Sequence, residues 1–209
     1  MLKSKLNYLL IISLILVSTT LSYAEEESGY YTKKLTLQAS LDFPNGSFGN
    51  YYKMGYGLNG AAEFYFFDDY PDLSLTGALS LAEWAGKSND TQGPNVQDTK
   101  YDSFSIKIGA YYYIFRIDAI DIYAGLLFGF HFLKATNPYY QGSSTTTNYG
   151  GDNSESKFGY SPLIGATYSL DKKYGINLTL RYNDVTHLTY LNFKPTHLSI
   201  YAGISMFLE

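Results

Sequence analysis

The chain contains no cysteine among its 209 residues. This absence excludes a disulfide framework, a thiolate metal site and the acylated cysteine of a lipoprotein leader. Charged residues are also scarce, at 16%, against roughly 25% in an ordinary soluble domain. After residue 24 no continuous apolar run reaches the length of about 20 residues that a membrane-spanning helix needs. Any attachment of this part of the chain to a membrane must therefore come from its fold.

The first residues have the pattern of a secretory signal peptide. Two lysines precede an apolar run over residues 6–17, and the Ser-Tyr-Ala sequence at 22–24 places small residues at the positions that a signal peptidase reads. The run is too short, and too often interrupted by Ser and Thr, for an anchoring helix. We predict that residues 1–24 are a cleaved signal peptide and that residues 25–209 form one domain.

The charge balance excludes one class of partner. Without the two lysines of the leader, 13 basic residues stand against 19 acidic ones, a net charge of −6. A chain of this charge repels nucleic acid and other polyphosphate surfaces. We therefore expect no nucleic-acid partner.

The most informative segment is the last one, residues 197–208, in which apolar and polar side chains alternate without interruption. Alternate residues of an extended strand point to opposite faces. One face is formed by Leu198, Ile200, Ala202, Ile204, Met206 and Leu208, and the other by His197, Ser199, Tyr201, Gly203, Ser205 and Phe207. The segment is predicted to be a strand with one apolar face and one mostly polar face.

Seven segments upstream repeat this period of two, and short turns alternate with longer polar connections between them. At Glu83 and Trp84 the character of the two faces reverses, which predicts a bulge or an exit from the bilayer. Pro162 removes one ladder bond from the sixth strand. The eight predicted strands cover about residues 34–43, 52–66, 73–82, 101–115, 120–132, 158–170, 175–183 and 197–208.

An even number of strands lets the last one pair with the first. The sequence therefore predicts an all-β fold, a closed eight-stranded antiparallel up-and-down transmembrane β-barrel. A soluble ligand carrier of the lipocalin kind would need a charged outer face, whereas the polar faces here are mostly Ser, Thr, Gly, Asn and Tyr. Small polar side chains fit the narrow interior of an eight-stranded barrel. The apolar faces are therefore predicted to contact lipid.

Aromatic residues are abundant, with 23 Tyr and 13 Phe, and they favour membrane interfaces. Short turns in the periplasm and long loops outside the cell would place both termini on the periplasmic side of a bacterial outer membrane. Two interfacial girdles are expected from the aromatic residues near strand ends, which include Phe43, Tyr52, Phe66, Tyr101, Phe115, Phe132, Phe158, Tyr160 and Tyr168.

This pattern resembles the small eight-stranded outer-membrane barrels typified by the OmpA-type transmembrane domain and its OmpX-like relatives. The resemblance covers essentially the whole chain after the leader. It implies no cofactor, and it implies outer-membrane lipid, lipopolysaccharide and the outer-membrane assembly machinery as partners. Relatives commonly end on a terminal Phe that this machinery recognises, whereas here Phe207 is followed by Leu208 and Glu209.

Several charged residues fall on the polar faces and are predicted to point into the lumen. Because unpaired charges there would be costly, we expect an internal network. This network is either a plug that holds the barrel shut or the lining of a narrow channel for small or apolar solutes. Its predicted members are Glu63, Lys107 and Arg181, extended by Lys34, Gln38 and Asp121.

His197 and Ser199 lie on one face, as a base and a nucleophile require. The pair is similar to the His-x-Ser pair of outer-membrane lipid A deacylases, which act at the lipid-facing wall together with an acidic residue. Here the pair faces the predicted lumen and no positioned acid is identifiable, so catalysis is the weaker hypothesis. The three scattered histidines do not have the pattern of a metal site.

The connection over residues 133–157 carries Tyr139, Tyr140 and Tyr149 among Ser, Thr, Asn and Gly. It is either a solvated surface loop or a contact surface for an extracellular ligand such as host molecules, other cells or phage. The sequence as a whole predicts a non-enzymatic outer-membrane protein that displays surface loops, with a role in envelope integrity or adhesion. The alternatives are a narrow channel and a lipid A deacylase-like hydrolase.

Overall fold

The computed structural model describes residues 33–65, 70–87, 100–117, 119–136, 153–186, 188 and 194–208. The predicted signal peptide and residues 137–152, the centre of the predicted contact loop, lie outside these ranges. Within the described ranges, no helix has the length and apolarity needed to span a bilayer.

Each strand pairs antiparallel with its neighbours in sequence, and the first strand pairs with the last, so the sheet closes on itself. The predicted closed eight-stranded up-and-down barrel is confirmed. The elements are β1 (Lys33–Asn45), α1 (Gly46–Tyr51), β2 (Gly55–Phe64), β3 (Leu73–Ala85), β4 (Lys100–Ile117), β5 (Ile120–Thr136), β6 (Asn153–Ser169), β7 (Tyr174–Val185) and β8 (Thr196–Leu208).

The apolar faces of the strands point outward and the polar faces point inward. In β8, Ser199 and Ser205 are buried in the lumen, while Ile200 and Ile204 are exposed on the outer surface. Ile108 on β4 is the extreme case, with 71% of its surface exposed. Apolar surface in water costs about 25 cal/mol per Å², and a whole barrel coated in it is suited to acyl chains.

The outward apolar band on β4–β6 ends in a row of phenylalanines. Phe104 lies opposite Phe132, and Phe130 lies opposite Phe158, each pair with ring centroids 5.8 Å apart. These strands have 18, 17 and 17 residues, whereas a membrane crossing needs about 9–11. Their far ends therefore extend past the apolar band. The outward positions there are polar: Lys100, Asp102, Lys134, Ser154 and Ser156.

The predicted aromatic girdles need one correction. Tyr52 and Tyr101 are buried inside the barrel, so their assignment to a girdle is wrong. Tyr101 is one of the alternate residues of β4 that point into the barrel. Tyr52 follows α1 instead of beginning a strand. Phe66 lies outside the described residues. The girdle residues on the outer surface are Phe43, Phe115, Phe132, Phe158, Tyr160 and Tyr168.

The second strand begins later than the sequence predicts, because a short helix precedes it. The prediction of strand from Tyr52 is wrong, since α1 occupies residues 46–51 and β2 begins at Gly55. The Asn45 side chain caps α1 by accepting a hydrogen bond from the Gly46 N–H at 2.8 Å. Gly46 has a φ of 56°, a left-handed conformation that glycine adopts without strain from a Cβ.

Of the two outcomes predicted at Glu83 and Trp84, the bulge is wrong, and the exit from the bilayer stays a prediction. Both residues pair with β4 in an unbroken register, because β3 runs on to Ala85. The register shifts instead in β4, between Tyr113 and Phe115. At Pro162 the β6–β7 ladder is interrupted but resumes in the same register, as expected for a residue without an N–H.

The seam between β1 and β8 provides a test of this architecture. A Cβ added to Gly203 would lie 2.0 Å from the backbone oxygen of Leu37, whereas a Cβ added to Gly60 meets nothing within 4 Å. We predict that Gly203→Ala lowers the free energy of unfolding by about 1–3 kcal/mol, because the strands must move apart. The control Gly60→Ala should change it by less than about 1 kcal/mol.

Urea titration in lipid vesicles measures both variants, with fluorescence from Trp84, the one tryptophan of the chain, as the signal. Equal unfolding midpoints for the two alanine variants would contradict the close approach of β1 and β8 at Gly203.

Candidate functional site

The candidate site is the lumen together with the cover over one of its mouths. We name the end where β1 begins and β8 ends the terminal end, and the opposite end the loop end. From the terminal end to the loop end, the lumen contains a terminal cluster around Lys34 and Glu63, a central cluster around Gln38 and Arg181, and an upper cluster around Asp42 and Lys107. An aromatic roof covers the upper cluster.

The terminal cluster is built on an ion pair. The two residues are direct partners in the β1–β2 ladder, and Lys34 Nζ lies 3.1 Å from Glu63 Oε1, with 1% and 2% of the side chains exposed. A buried pair is tolerated only when its remaining donors and acceptors are also satisfied, and here they are. The neighbours that bond the pair are Tyr65, Ser74, Tyr113 and Thr167.

The central cluster is a chain of amides that crosses from β1 and β2 to β7. Asn59 Nδ2 donates to Gln38 Oε1 at 2.9 Å, and Gln38 Nε2 donates to Asn177 Oδ1 at 2.5 Å. Arg181 joins the chain by donating from Nη1 to Asn59 Oδ1 at 3.1 Å. Its guanidinium also lies over the ring of Tyr201, 4.5 Å from the centroid, a favourable cation–π contact. Side chains therefore bridge the lumen at mid-depth.

The upper cluster combines a lysine, an asparagine, a serine and an aspartate from four strands. Lys107 Nζ donates to Asn183 Oδ1 at 2.7 Å, and Asn183 Nδ2 donates to Ser199 Oγ at 3.0 Å. Asp42 is buried and accepts a hydrogen bond from Ser40 Oγ at 3.0 Å. The lysine and the carboxylate of this layer are thus held by neutral partners.

The six residues predicted for a lumen network are spread over these layers. Glu63, Lys107 and Arg181 each bond different partners, and intervening amides separate the layers. Asp121 is half-buried at the terminal end, where it lies opposite Arg116 in the β4–β5 ladder. The amides that connect the layers were not singled out from the sequence, because a neutral side chain on a polar face gives no signal. They are Asn59, Asn177 and Asn183.

His197 and Ser199 both point into the lumen and are buried. Ser199 accepts a hydrogen bond from Asn183, and it lies directly opposite Asp42 in the β1–β8 ladder. His197 packs edge-on against Trp84, with ring centroids 4.9 Å apart. An acid does therefore lie beside this pair, but all three groups are enclosed, away from the lipid-facing wall. In the described residues, no group of three or more His, Cys, Asp or Glu is placed to hold a metal ion.

The aromatic roof consists of Phe48, Tyr52, Trp84 and Tyr101. Phe48 projects from α1 into the barrel and is completely buried, with its ring 4.9–5.4 Å from the other three. Burial raises the pKa of Tyr52 above its ordinary value. Aliphatic residues complete the roof: Leu133, Ala135, Val185 and Leu188. Because α1 folds back over the mouth, the lumen is covered at the loop end.

Polar contacts outside the roof tie the neighbouring segments together. Thr196 Oγ1 donates to the backbone oxygen of Asn45 at 3.2 Å, which joins the start of β8 to the start of α1. Lys194 Nζ lies 2.5 Å from Asp184 Oδ1, and this hydrogen bond raises the pKa of Lys194. Lys194 is half exposed, so the ion pair itself contributes little to stability.

Comparison with solved structures identifies proteins of similar shape. Neisserial surface protein A is 16% identical, with 88% of this chain and 100% of that chain covered and a TM-score of 0.59. The attachment invasion locus protein Ail of Yersinia pestis, solved with the heparin analogue sucrose octasulfate, is 16% identical, with 84% and 99% covered and a TM-score of 0.51. OprG of Pseudomonas aeruginosa is 11% identical, with 87% and 99% covered and a TM-score of 0.52. Identities this low establish a shared fold only.

A search of curated proteins found no match. The family described as "Outer membrane protein beta-barrel domain" matches residues 9–205, which is nearly the whole chain. That match, together with the lipid-suited outer surface, supports a location in the bacterial outer membrane. The chain belongs to the outer membrane protein β-barrel domain family.

Proposed function

We propose that this protein is a non-enzymatic outer-membrane barrel that holds its long connections at the cell surface, where they act in adhesion or in envelope integrity. One observation carries the proposal. The described lumen is bridged by side chains at several depths and roofed by Phe48 and its aromatic neighbours. The connections at the loop end are then the part of the molecule that remains available to other molecules.

The orientation in the membrane follows from the lengths of the connections. The short ones, residues 65–72, 118–119 and 170–173, lie at the terminal end, and the longer ones lie at the loop end. In barrels of this class the short turns face the periplasm. This supports two periplasmic termini, with the long connections outside the cell.

The connection between β5 and β6 is the strongest candidate for a contact surface. The two strands that it joins extend past the phenylalanine row. The segment contains Tyr139, Tyr140 and Tyr149, but no Lys or Arg. Tyrosine binds through its ring and its hydroxyl at low entropic cost. The composition therefore favours a neutral glycan or a protein surface over a polyanion of the kind bound in the Ail structure.

A hydrolytic role is not favoured by the geometry. Ser199 accepts a hydrogen bond from Asn183, and His197 packs edge-on against Trp84 of the roof. A lipid substrate would have to enter through the barrel wall or displace the roof. We therefore assign no catalytic role to this pair.

A loop exchange tests the adhesive role. Replacing residues 137–152 with a three-residue turn leaves the β5–β6 pairing from Asn153 downward intact. We expect a non-adherent bacterial strain that expresses the wild type to bind host cells, and the exchanged variant to lose that binding while still folding, as judged by heat-modifiable mobility on gels. Replacement of residues 88–99 by the same turn is the matched control. Undiminished adherence after the first exchange would assign the contact elsewhere.

Planar bilayer recordings test the closed lumen. We expect the wild type to show no steady conductance, because hydrogen-bonded layers cross the lumen below the roof. Phe48→Ala removes a side chain of the roof but leaves the layers below it in place. This variant should therefore also show no steady conductance. Discrete conductance steps in the wild type would support the narrow channel instead.

The terminal ion pair allows a matched test of the plug. Glu63→Gln leaves Lys34 buried without a counter-charge, and we expect it to lower the free energy of unfolding by about 3–5 kcal/mol. Glu83→Gln breaks the exposed pair with Lys100 and should cost less than about 1 kcal/mol. Urea unfolding in lipid vesicles measures both. Similar costs for the two variants would show that the buried pair does not hold the lumen together.

A further inference from the structure

The upper lumen holds more positive than negative charge. Among the inward-facing charges of the described strands, Lys34 is paired with Glu63, and Lys157 is paired with Glu155 at 3.0 Å. Asp121 lies at the terminal end beside Arg116. Three charges remain without such a partner: Asp42, Lys107 and Arg181. When Lys107 and Arg181 are both protonated, two cations face one carboxylate, an excess of one positive charge.

These three charges share one enclosed region. Ser199 is the ladder partner of both Asp42 in β1 and Arg181 in β7. Lys107 reaches the same place through Asn183, which bonds both Lys107 and Ser199. His197 is the ladder partner of Asn183, and His131 lies opposite Ser105, two residues from Lys107 on the inward face of β4. Lys107, Arg181 and Asp42 are 3%, 1% and 0% exposed. Bulk water therefore does not screen the excess charge. A buried charge without a counter-charge carries a cost of several kcal/mol, so the fold as described needs a compensating negative group.

Unsatisfied polar atoms lie in the same region. Four of the buried side-chain atoms without a hydrogen-bond partner among the described residues lie here: Asp42 Oδ1, His131 Nε2, His197 Nδ1 and Arg181 Nε. Trp84 Nε1, in the roof beside His197, is a fifth orphaned atom. Arg181 Nε and Trp84 Nε1 are donors in every state, and the two histidine nitrogens donate when they carry the ring proton. The region can therefore offer up to four donors to a negatively charged ligand.

Glycines in the wall give the side chains of this layer their space. A Cβ on Gly159 would lie 3.0 Å from His131 Nε2, and a Cβ on Gly57 would lie 3.1 Å from Asp42 Oδ2. Both side chains thus lie against the wall, at positions where any larger residue would displace them. The interior of an eight-stranded barrel is just wide enough for side chains or one small ligand. A site as tightly enclosed as this one favours a monatomic ion over a polyatomic one.

We propose that one small monovalent inorganic anion, of the size of chloride, lies between Lys107 of the upper cluster and Arg181 of the central cluster. The anion balances the excess charge and accepts hydrogen bonds from the orphaned donors, while His131 and His197 line the site. The carboxylate of Asp42 is the neighbouring negative charge, and it repels the anion. The anion is a structural ligand of the folded barrel and is enclosed by the aromatic roof.

Salt-dependent unfolding tests the proposal. Because the roof encloses the site, the protein is refolded into lipid vesicles separately in sodium chloride and in sodium gluconate of equal ionic strength. Unfolding in urea is followed by Trp84 fluorescence. A ligand that binds only the folded state raises the unfolding midpoint with its concentration, so the wild-type midpoint is expected to rise with chloride and not with gluconate.

Two variants change the charge of the site in opposite directions. Lys107→Met removes the excess charge, and its midpoint should be the same in both salts. Asp42→Asn removes the opposing carboxylate, and the chloride concentration for half-maximal stabilisation should fall by about tenfold or more, because the site has a low dielectric constant. The double variant Lys34→Met/Glu63→Gln is the matched control. It removes a lumen lysine outside the site and should keep the wild-type response to chloride.

Crystals grown in bromide locate the ion without any variant. The expected result is an anomalous peak between Lys107 and Arg181. A wild-type midpoint that is equal in both salts would overturn the proposal, since the charge would then be balanced by a neutral Lys107 amine. A chloride effect that survives in Lys107→Met, or bromide found only on the outer surface, would overturn it as well.

Discussion

The closure of the sheet between β1 and β8 is the constraint on which the rest of the structure depends. Every backbone N–H and C=O within a bilayer must be bonded inside the protein, and a sheet meets this requirement only when no edge is left. Thirteen residue pairs, from Lys33↔Leu208 to Asn45↔Thr196, form this closure. It also explains the close approach at Gly203, where a side chain would collide with the opposite backbone.

Closure with eight strands determines what the interior contains. A barrel of this size is too narrow for an open aqueous pore and too polar inside to be packed with aliphatic side chains. The result is a stack of layers of side chains. Some charges are paired with an opposite charge, as Lys34 is with Glu63. Others are hydrogen-bonded by neutral amides such as Asn59 and Asn183. With the interior occupied in this way, the proposed contacts with other molecules fall to the loop end, where β4–β6 extend past the apolar band.

The strands were predictable from the sequence because a period of two is a local property. The clean alternation in β8 and the short turns led to the strand number, the closure and the direction of the faces. Errors occurred where local pattern and tertiary packing disagree. Tyr52 and Tyr101 have the side chains of girdle residues, yet they pack around Phe48 inside the mouth. The helix α1 has too few residues for a periodic signal, and Glu83 and Trp84 continue β3 despite their reversed chemistry.

By itself, the sequence determined the fold class, the pairing order and which residues face the lumen, because alternation assigns a face to each side chain without reference to distant residues. Only the tertiary structure decided which lumen residues meet. The partners Lys34 and Tyr113 are separated by 79 positions, and Arg181 and Asn59 by 122. Their contact depends on strand register and on the stagger of the closed barrel, and neither is encoded in any single segment. The same stagger brings Asp42, Lys107 and Arg181 into neighbouring layers of one enclosed region, under a roof that the local pattern did not reveal.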